Sequence, residues 1–170
     1  MSAEITKGRF TAGFNGPITV FVIGMRINRL FRPDKWLPVV RAMGPMLSEL
    51  SAAPGSGFLA AEPMLRSWRT IAVMQYWRDF DSLEAYARNR DQHHWPAWTA
   101  FNRSIGKSGA VGIFHETYVV PAGGYETIYV NMPSTGLGKI AGVRPATGSR
   151  VKARSRMRTD HAPASGDTPE

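Results

Sequence analysis

The chain has 170 residues, 43% of them hydrophobic, which suffices for one domain with a sizeable core. It contains no cysteine, which excludes disulfides, cysteine catalysis and thiolate metal ligands and is compatible with an expected cytoplasmic location. Lys and Arg outnumber Asp and Glu by 21 to 13, but half of this excess lies beyond residue 138. That segment is poor in large apolar residues, so we expect a disordered basic tail over 139–170 and no nucleic-acid partner.

The first half of the chain predicts a strand, a helix and two more strands. Residues 18–28 are apolar on both alternating faces, which indicates a strand covered on both sides. This run is too short to cross a membrane, and we expect no membrane partner. Residues 35–50 carry apolar side chains at helical spacing, with Asp34 as the expected N-cap. After a turn signal, strands are expected at 58–61 and 67–77.

The second half predicts two short helices and two strands. A helix over 82–89 follows Asp79 and Asp81, either of which can cap it. Pro96 predicts the start of another helix that ends near residue 104. Strands are expected at 109–120 and 125–131.

This order of elements predicts an α+β fold, a ferredoxin-like βαββαβ unit with an extra C-terminal strand. The domain is expected over 15–138, between an N-terminal arm (1–14) and the tail. An apolar second sheet face would be covered by a second subunit, which predicts a homodimer that forms a dimeric α/β barrel. The extra strand could pair with the partner's sheet edge.

The segment HHWPAWTAFN (93–102) combines imidazole, indole, phenyl and amide groups within ten residues. His94 should lie just outside a helix N-terminus, where the dipole favours the neutral imidazole that accepts a proton or ligates a metal. Trp98 and Phe101 share a helical face, with Asn102 beside them. The alternative is that the aromatic side chains belong to the core and that His94 caps the helix.

A second group of candidates lies in the strand VGIFHETYVV. Period two places His115 on one face of the strand, together with Val111, Ile113 and Thr117. Phe114, Glu116 and Tyr118 share the opposite face. Polar groups in an apolar strand are costly to bury without partners. One of these faces should therefore meet either a ligand pocket or a hydrogen-bonded subunit interface.

Arg26 and Asn28 share a face at the end of the first strand and could bind a carboxylate or orient a carbonyl, or simply face solvent. The segment Gly106-Lys107-Ser108 does not complete a phosphate-binding loop, because Phe101 replaces the first glycine. No HExxH motif is present, so no protein-bound metal is expected.

Several blocks of the sequence resemble one known family. They are GMRIN (24–28), QYWRDFDSLEAYAR (75–88), HWPAWTAFNR (94–103) and GIFHETYVVPAGGYETIYVNMP (112–133). In this order they resemble the small monooxygenases related to the fumagillin-pathway polyene monooxygenase. These belong to the dimeric α/β-barrel group, which also holds the antibiotic-biosynthesis monooxygenases.

The resemblance implies a ferredoxin-like homodimer and an oxidoreductase, a monooxygenase acting on a small hydrophobic, aromatic or polyene substrate between sheet and helices. Without a cofactor, His94 or His115 would act as the base. Arg26, Asn28 and Asn102 would hold the substrate as a polar clamp. With haem, His94 or His115 would be the axial ligand, as in a haem-dependent lyase of the aldoxime dehydratase kind. A non-catalytic barrel that binds haem or a small ligand is the remaining alternative. The full set of candidates is His94, His115 and Arg26 as catalytic residues and Asn28, Trp98, Phe101, Asn102, Glu116 and Tyr118 as substrate-binding residues.

Overall fold

The computed structural model describes residues 4–53, 55–89 and 108–157. The chain divides into two compact units, of which one is Ile18–Val119 and the other combines the N-terminal segment with the C-terminal one. None of the helices in the described ranges has the length and hydropathy that a membrane crossing requires. The predicted helix over 96–104 and its candidates His94, Trp98, Phe101 and Asn102 lie outside the described residues.

The unit Ile18–Val119 is the ferredoxin-like unit that the sequence predicts. Its elements are β2 (Ile18–Ile27), α1 (Pro33–Ala52), β3 (Phe58–Ser67), β4 (Thr70–Trp77), α2 (Phe80–Arg88) and β5 (Val111–Val120). Its sheet has the strand order β3-β4-β2-β5, with β4 antiparallel to both β2 and β3. This order is that of a split βαβ fold, so the expected α+β class is confirmed.

The two helices described in this unit cover the same face of its sheet. Met25 and Val111 pack with residues of α1, including Trp36, Val39 and Val40. At the other end, Trp77 is fully buried with Leu50 and Leu83. A second cluster therefore joins the end of α1 to α2.

Tyr86 of α2 completes this second cluster, with its ring centroid 5.4 Å from that of Trp77. Burial first, and the charge of Glu49 second, raise the pKa of Tyr86 to about 12. The hydroxyl therefore stays neutral inside the helix-covered face.

The caps of the two helices differ from each other. Asp79, one of the two expected caps of α2, accepts a 2.7 Å bond from the Ser82 backbone nitrogen. Its hydrogen bonds, first to Ser82 and then to Arg78, lower its pKa to about 2. The expectation that Asp34 caps α1 is wrong, because α1 begins at Pro33, whose fixed φ suits the first helical position. Asp34 instead accepts two 2.9 Å bonds from the guanidinium of Arg32.

The predicted strand 67–77 is too long, because the chain turns at Trp68 and Arg69 between β3 and β4. Conversely, the strand expected at 58–61 continues to Ser67. Neither glycine nor proline marks the reversal within the segment SWRTIAVMQYW, so the sequence carries no turn signal there.

The other unit contains the predicted N-terminal arm and part of the segment that was expected to be a disordered tail. The N-terminal arm forms β1 (Thr6–Ala12), which lies between β6 (Tyr129–Met132) and β7 (Val143–Pro145). The last predicted strand thus pairs antiparallel with β1 of its own chain, and no exchange with a partner is needed to satisfy it. The remaining elements are α3 (Leu137–Ala141), a 3-10 turn (Gly148–Val151) and α4 (Ala153–Met157).

Residues 139–157 are therefore structured where a disordered tail was expected. Arg156 explains much of this difference, since its side chain is only 5% exposed and bonds to Glu126 at 2.6 and 2.8 Å. The same guanidinium donates to the carbonyls of Arg150 and Val151. A charge-assisted network of this kind offsets the scarcity of large apolar residues.

Candidate functional site

An apolar cavity of about 910 Å³ lies between α1 and the sheet of the Ile18–Val119 unit. Its size is within the range of sites for small organic ligands. Pro38 and Pro45 interrupt the hydrogen bonding of α1, the helix that covers the cavity. The principal apolar residues of its wall are Ile23, Met25, Val39, Val40, Ala42, Met43, Met46, Leu47, Pro63, Met64, Leu65, Ile71, Val73 and Ile113.

Methionine gives this wall its particular character. Met25 projects from the sheet, and Met43 and Met46 project from α1. Methionine is unbranched and polarizable, so a wall rich in it adapts to ligands of different shape. The charged residues that line the cavity are Asp34 and Lys35, in the first turn of α1. The described wall thus suits an aliphatic or polyene ligand with little polar surface.

His115 lies on the helix-covered face, two residues after Ile113 of the cavity wall. Its ring centroid is 5.7 Å from that of Phe21, at an interplanar angle of 41°. This confirms that His115 faces away from Phe114, Glu116 and Tyr118, as period two predicts. The imidazole is the titratable group that β5 presents on the cavity side.

Glu116 and Tyr118 lie on the opposite, open face of the sheet. The Tyr118 hydroxyl donates a 2.6 Å hydrogen bond to Glu116 Oε2. This bond is the main reason that the pKa of Tyr118 is raised. The sheet therefore separates this pair from His115.

Arg26 and Asn28 share the open face at the end of β2, as expected, and both are exposed. Asn28 Nδ2 donates to the Gly109 carbonyl at 3.1 Å, which ties the end of β2 to the start of β5. None of the five described candidates lines the cavity. The candidates thus divide into His115 on the helix-covered face and four polar residues on the open face.

The open face has its own packing, built on Gly24 and Ala72, which pair in neighbouring strands. The Phe114 ring lies over Gly24, where an added Cβ would meet its carbons at 2.6 Å. The Arg66 guanidinium lies over the Phe114 ring, 5.1 Å from its centroid. Small residues in the two central strands therefore create a hollow that an aromatic side chain fills.

The sequence pattern did not reveal the cavity. Met43 and Leu47 of α1 have the spacing of an ordinary core helix, and only the structure shows space below them. The available signal was the pair of internal prolines together with Gly44, which is unusual in a core helix. Within the described ranges, no group of three or more His, Asp or Glu side chains could hold a metal ion.

The fold belongs to the ferredoxin-like α+β class, and comparison with known proteins identifies the family. The chain belongs to the Monooxygenase af470-like family, whose model matches residues 18–137. It is 28% identical over 156 residues to Monooxygenase af470 from Aspergillus fumigatus (strain ATCC MYA-4609 / CBS 101355 / FGSC A1100 / Af293). The match covers 81% of this chain and 55% of that protein, so the chain spans about half the length of this curated relative.

Two solved structures are similar in fold. A crystal structure of aldoxime dehydratase (OxdRE) in complex with butyraldoxime has a TM-score of 0.61 and 16% identity. That match covers 83% of this chain and 43% of the dehydratase. SnoaB, a cofactor-independent oxygenase from Streptomyces nogalater, has a TM-score of 0.43 and 12% identity, over 61% of this chain and 93% of SnoaB.

Proposed function

We propose that the protein is a monooxygenase whose small, predominantly aliphatic or polyene substrate occupies the cavity between α1 and the sheet. The cavity itself carries this proposal, because it is large, lined by aliphatic and methionine side chains, and present in a member of a monooxygenase-named family. Apolar walls exclude water from a reactive intermediate and bind the apolar part of a substrate. The experiment that tests it compares oxygenation by variants that fill the cavity with variants that do not.

His115 is the described residue that we propose as the base of a cofactor-free reaction. Such a reaction needs a substrate with an acidic C–H or O–H bond, whose anion transfers an electron to O2. A CH2 group of the substrate loses both hydrogens and becomes C=O, with one oxygen atom of O2 entering the product and the other leaving as water. The substrate supplies all four electrons that reduce O2, so the reaction needs no external reductant. In this proposal the imidazole accepts the substrate proton, which is supported by its lying on the same face of β5 as Ile113 of the cavity wall.

A haem-dependent reaction is the second candidate, and the fold similarity to aldoxime dehydratase is the observation that favours it. His115 would then hold the haem through its imidazole. Haem supplies redox and Lewis-acid chemistry at its iron, and the methionine-rich wall would pack against the porphyrin. Phe21, whose ring lies against that of His115, would restrict the orientation of the imidazole.

The absorption spectrum during titration with haemin separates the two candidates. For the cofactor-free reaction, we expect weak binding that is the same for the wild type and His115→Ala, since no residue then ligates the iron. His115→Gln is the matched variant, because it retains a polar side chain of similar length. A Soret shift that saturates at one equivalent per chain and disappears in both variants would contradict the cofactor-free reaction.

We further propose that the open face of the sheet forms the homodimer interface. Phe114, Met74 and Tyr76 give this face an apolar centre, and the exposed Tyr118–Glu116 pair lies beside it. Apolar sheet faces of this kind are stable in water when a second layer covers them.

Sedimentation equilibrium of the wild type is expected to give twice the mass of one chain. The Met74→Glu variant is expected to sediment with the mass of one chain and to keep its far-UV circular dichroism spectrum. A buried carboxylate without a partner costs several kcal/mol at an interface, on the order of 3–5. Ser67→Glu, at the exposed end of β3, is the control. A wild-type protein that sediments as one chain, or a Met74→Glu variant that stays dimeric, would contradict the interface.

A further inference from the structure

Two loops emerge side by side from one end of the sheet. One joins β2 to α1 (residues 28–32), and the other is the turn at Trp68 and Arg69 between β3 and β4. The Ile27 backbone nitrogen donates a 2.8 Å hydrogen bond to the Arg69 carbonyl, which fixes the two loops as neighbours. The side chains that the two loops expose are therefore neighbours on the surface.

These loops expose large apolar side chains to solvent. Phe31 is 94% exposed and Trp68 is 69% exposed. Leu30 beside Phe31 is 37% exposed, and Leu65, three residues before Trp68, is 74% exposed. Single exposed apolar residues are common, but a cluster of them at one end of a domain indicates a binding surface.

Basic side chains accompany these apolar ones. Arg29 and Arg32 lie in the first loop, and Arg69 lies in the second, with its guanidinium carbon 4.0 Å from the centroid of the Trp68 ring. The nearby carboxylate of Asp34 is occupied by two hydrogen bonds from Arg32. An aromatic ring stacked under a guanidinium has the amphipathic character of side chains at the boundary between lipid headgroups and acyl chains.

The same end of the unit adjoins the cavity. Leu65, which is mostly exposed, also lines the cavity, as do Asp34 and Lys35 of the first turn of α1. A lipophilic molecule is poorly soluble in water and accumulates in membranes. A surface that meets a bilayer at this point would place the cavity beside the phase that holds such a molecule.

We propose that this end of the Ile18–Val119 unit docks on the surface of an anionic lipid bilayer. Phe31 and Trp68 insert among the headgroups, and Arg29 and Arg69 face the lipid phosphates. Apolar insertion and electrostatic attraction act together in peripheral binding, and neither suffices alone. The occupant is thus a membrane surface, which the protein contacts without crossing, in contrast to the expectation from the sequence that there is no membrane partner.

Co-sedimentation of the full chain with phosphatidylcholine vesicles containing phosphatidylglycerol tests this proposal. We expect the wild type to bind these vesicles more tightly than vesicles of phosphatidylcholine alone. The substitutions Phe31→Ser and Trp68→Ser should each weaken binding about tenfold, since each removes most of one large apolar side chain from the contact. Phe80→Ser is the matched control, because Phe80 is also exposed (43%) but follows the opposite end of β4.

Three results would overturn the proposal. The first is a wild type that does not prefer the anionic vesicles. The second is vesicle binding that both substitutions leave unchanged, which would assign it to other basic segments of the chain. The third is a change of sedimenting mass in the two variants without a change in vesicle binding, which would show that a second copy of the chain covers these loops. Each result is independent of whether the protein oxygenates a substrate.

Discussion

Gly24→Ala is expected to lower the free energy of unfolding by about 1–3 kcal/mol, a large loss for the addition of one methyl group. A Cβ at this position would meet two carbons of the Phe114 ring at 2.6 Å and the Ile71 carbonyl oxygen at 2.7 Å. Gly24 lies in β2, a central strand, so its backbone is paired on both sides and has little freedom to move. Urea unfolding monitored by circular dichroism measures the effect.

Gly112→Ala is the matched control for this substitution. Gly112 also lies in a strand of the same sheet, but the nearest atom to its added Cβ is Asn28 Nδ2 at 3.4 Å. Alanine should therefore be neutral there or stabilise by about 0.5 kcal/mol, because it restricts the unfolded chain. In the Phe114→Ala background, Gly24→Ala should lower the free energy of unfolding by a smaller amount. Only the close contact with the Ile71 carbonyl oxygen then remains. Equal costs at positions 24 and 112 would contradict the described packing of the open face.

Ala42→Phe is expected to reduce kcat/KM for the oxygenated substrate by roughly tenfold to a hundredfold, because it displaces the substrate from its reactive position. Ala42 is half-buried on α1 and lines the cavity. A phenyl group there occupies space that is empty in the described structure, so overpacking should be small. The melting temperature should stay the same or rise, as for other substitutions that fill cavities.

Ser48→Phe is the control for Ala42→Phe. Ser48 lies on the same helix but is exposed and lies outside the cavity wall. It should leave both kcat/KM and the melting temperature close to their wild-type values. Equal losses of activity in the two variants, or unchanged activity in Ala42→Phe, would show that the substrate is not held below α1.

The sequence predicts the core of the fold because burial leaves a periodic signal. The two-sided apolar pattern of 18–28 corresponds to β2, which lies inside the sheet and packs on both faces. The helical spacing around Met43 and Leu47 corresponds to α1, and Asp79 marks the start of α2. These features depend on neighbours close in sequence, which periodicity records directly.

Features that depend on distant residues could not be predicted in the same way. Strand β1 pairs with residues more than a hundred positions away, and its segment is neither strongly apolar nor alternating. The order in 139–157 depends on the long-range pair Arg156–Glu126. Hydrophobicity alone gives such segments the appearance of a solvated tail.

The candidate site was predictable in part. Period two correctly separated His115 from Glu116 and Tyr118, because strand geometry fixes which side chains share a face. It could not show that a cavity lies under α1, since space between elements depends on how they pack. The role of each candidate in the reaction, including those in the 93–102 segment, stays a prediction.

The most direct test of the central claim is mass spectrometry of products formed under ¹⁸O2 from a panel of aliphatic, polyene and phenolic compounds. The wild type and Ser48→Phe are expected to form a product carrying one ¹⁸O atom, and Ala42→Phe to form much less of it. A product whose added oxygen comes from water would contradict a monooxygenase. Equal labelled product from all three proteins would contradict the cavity as its site.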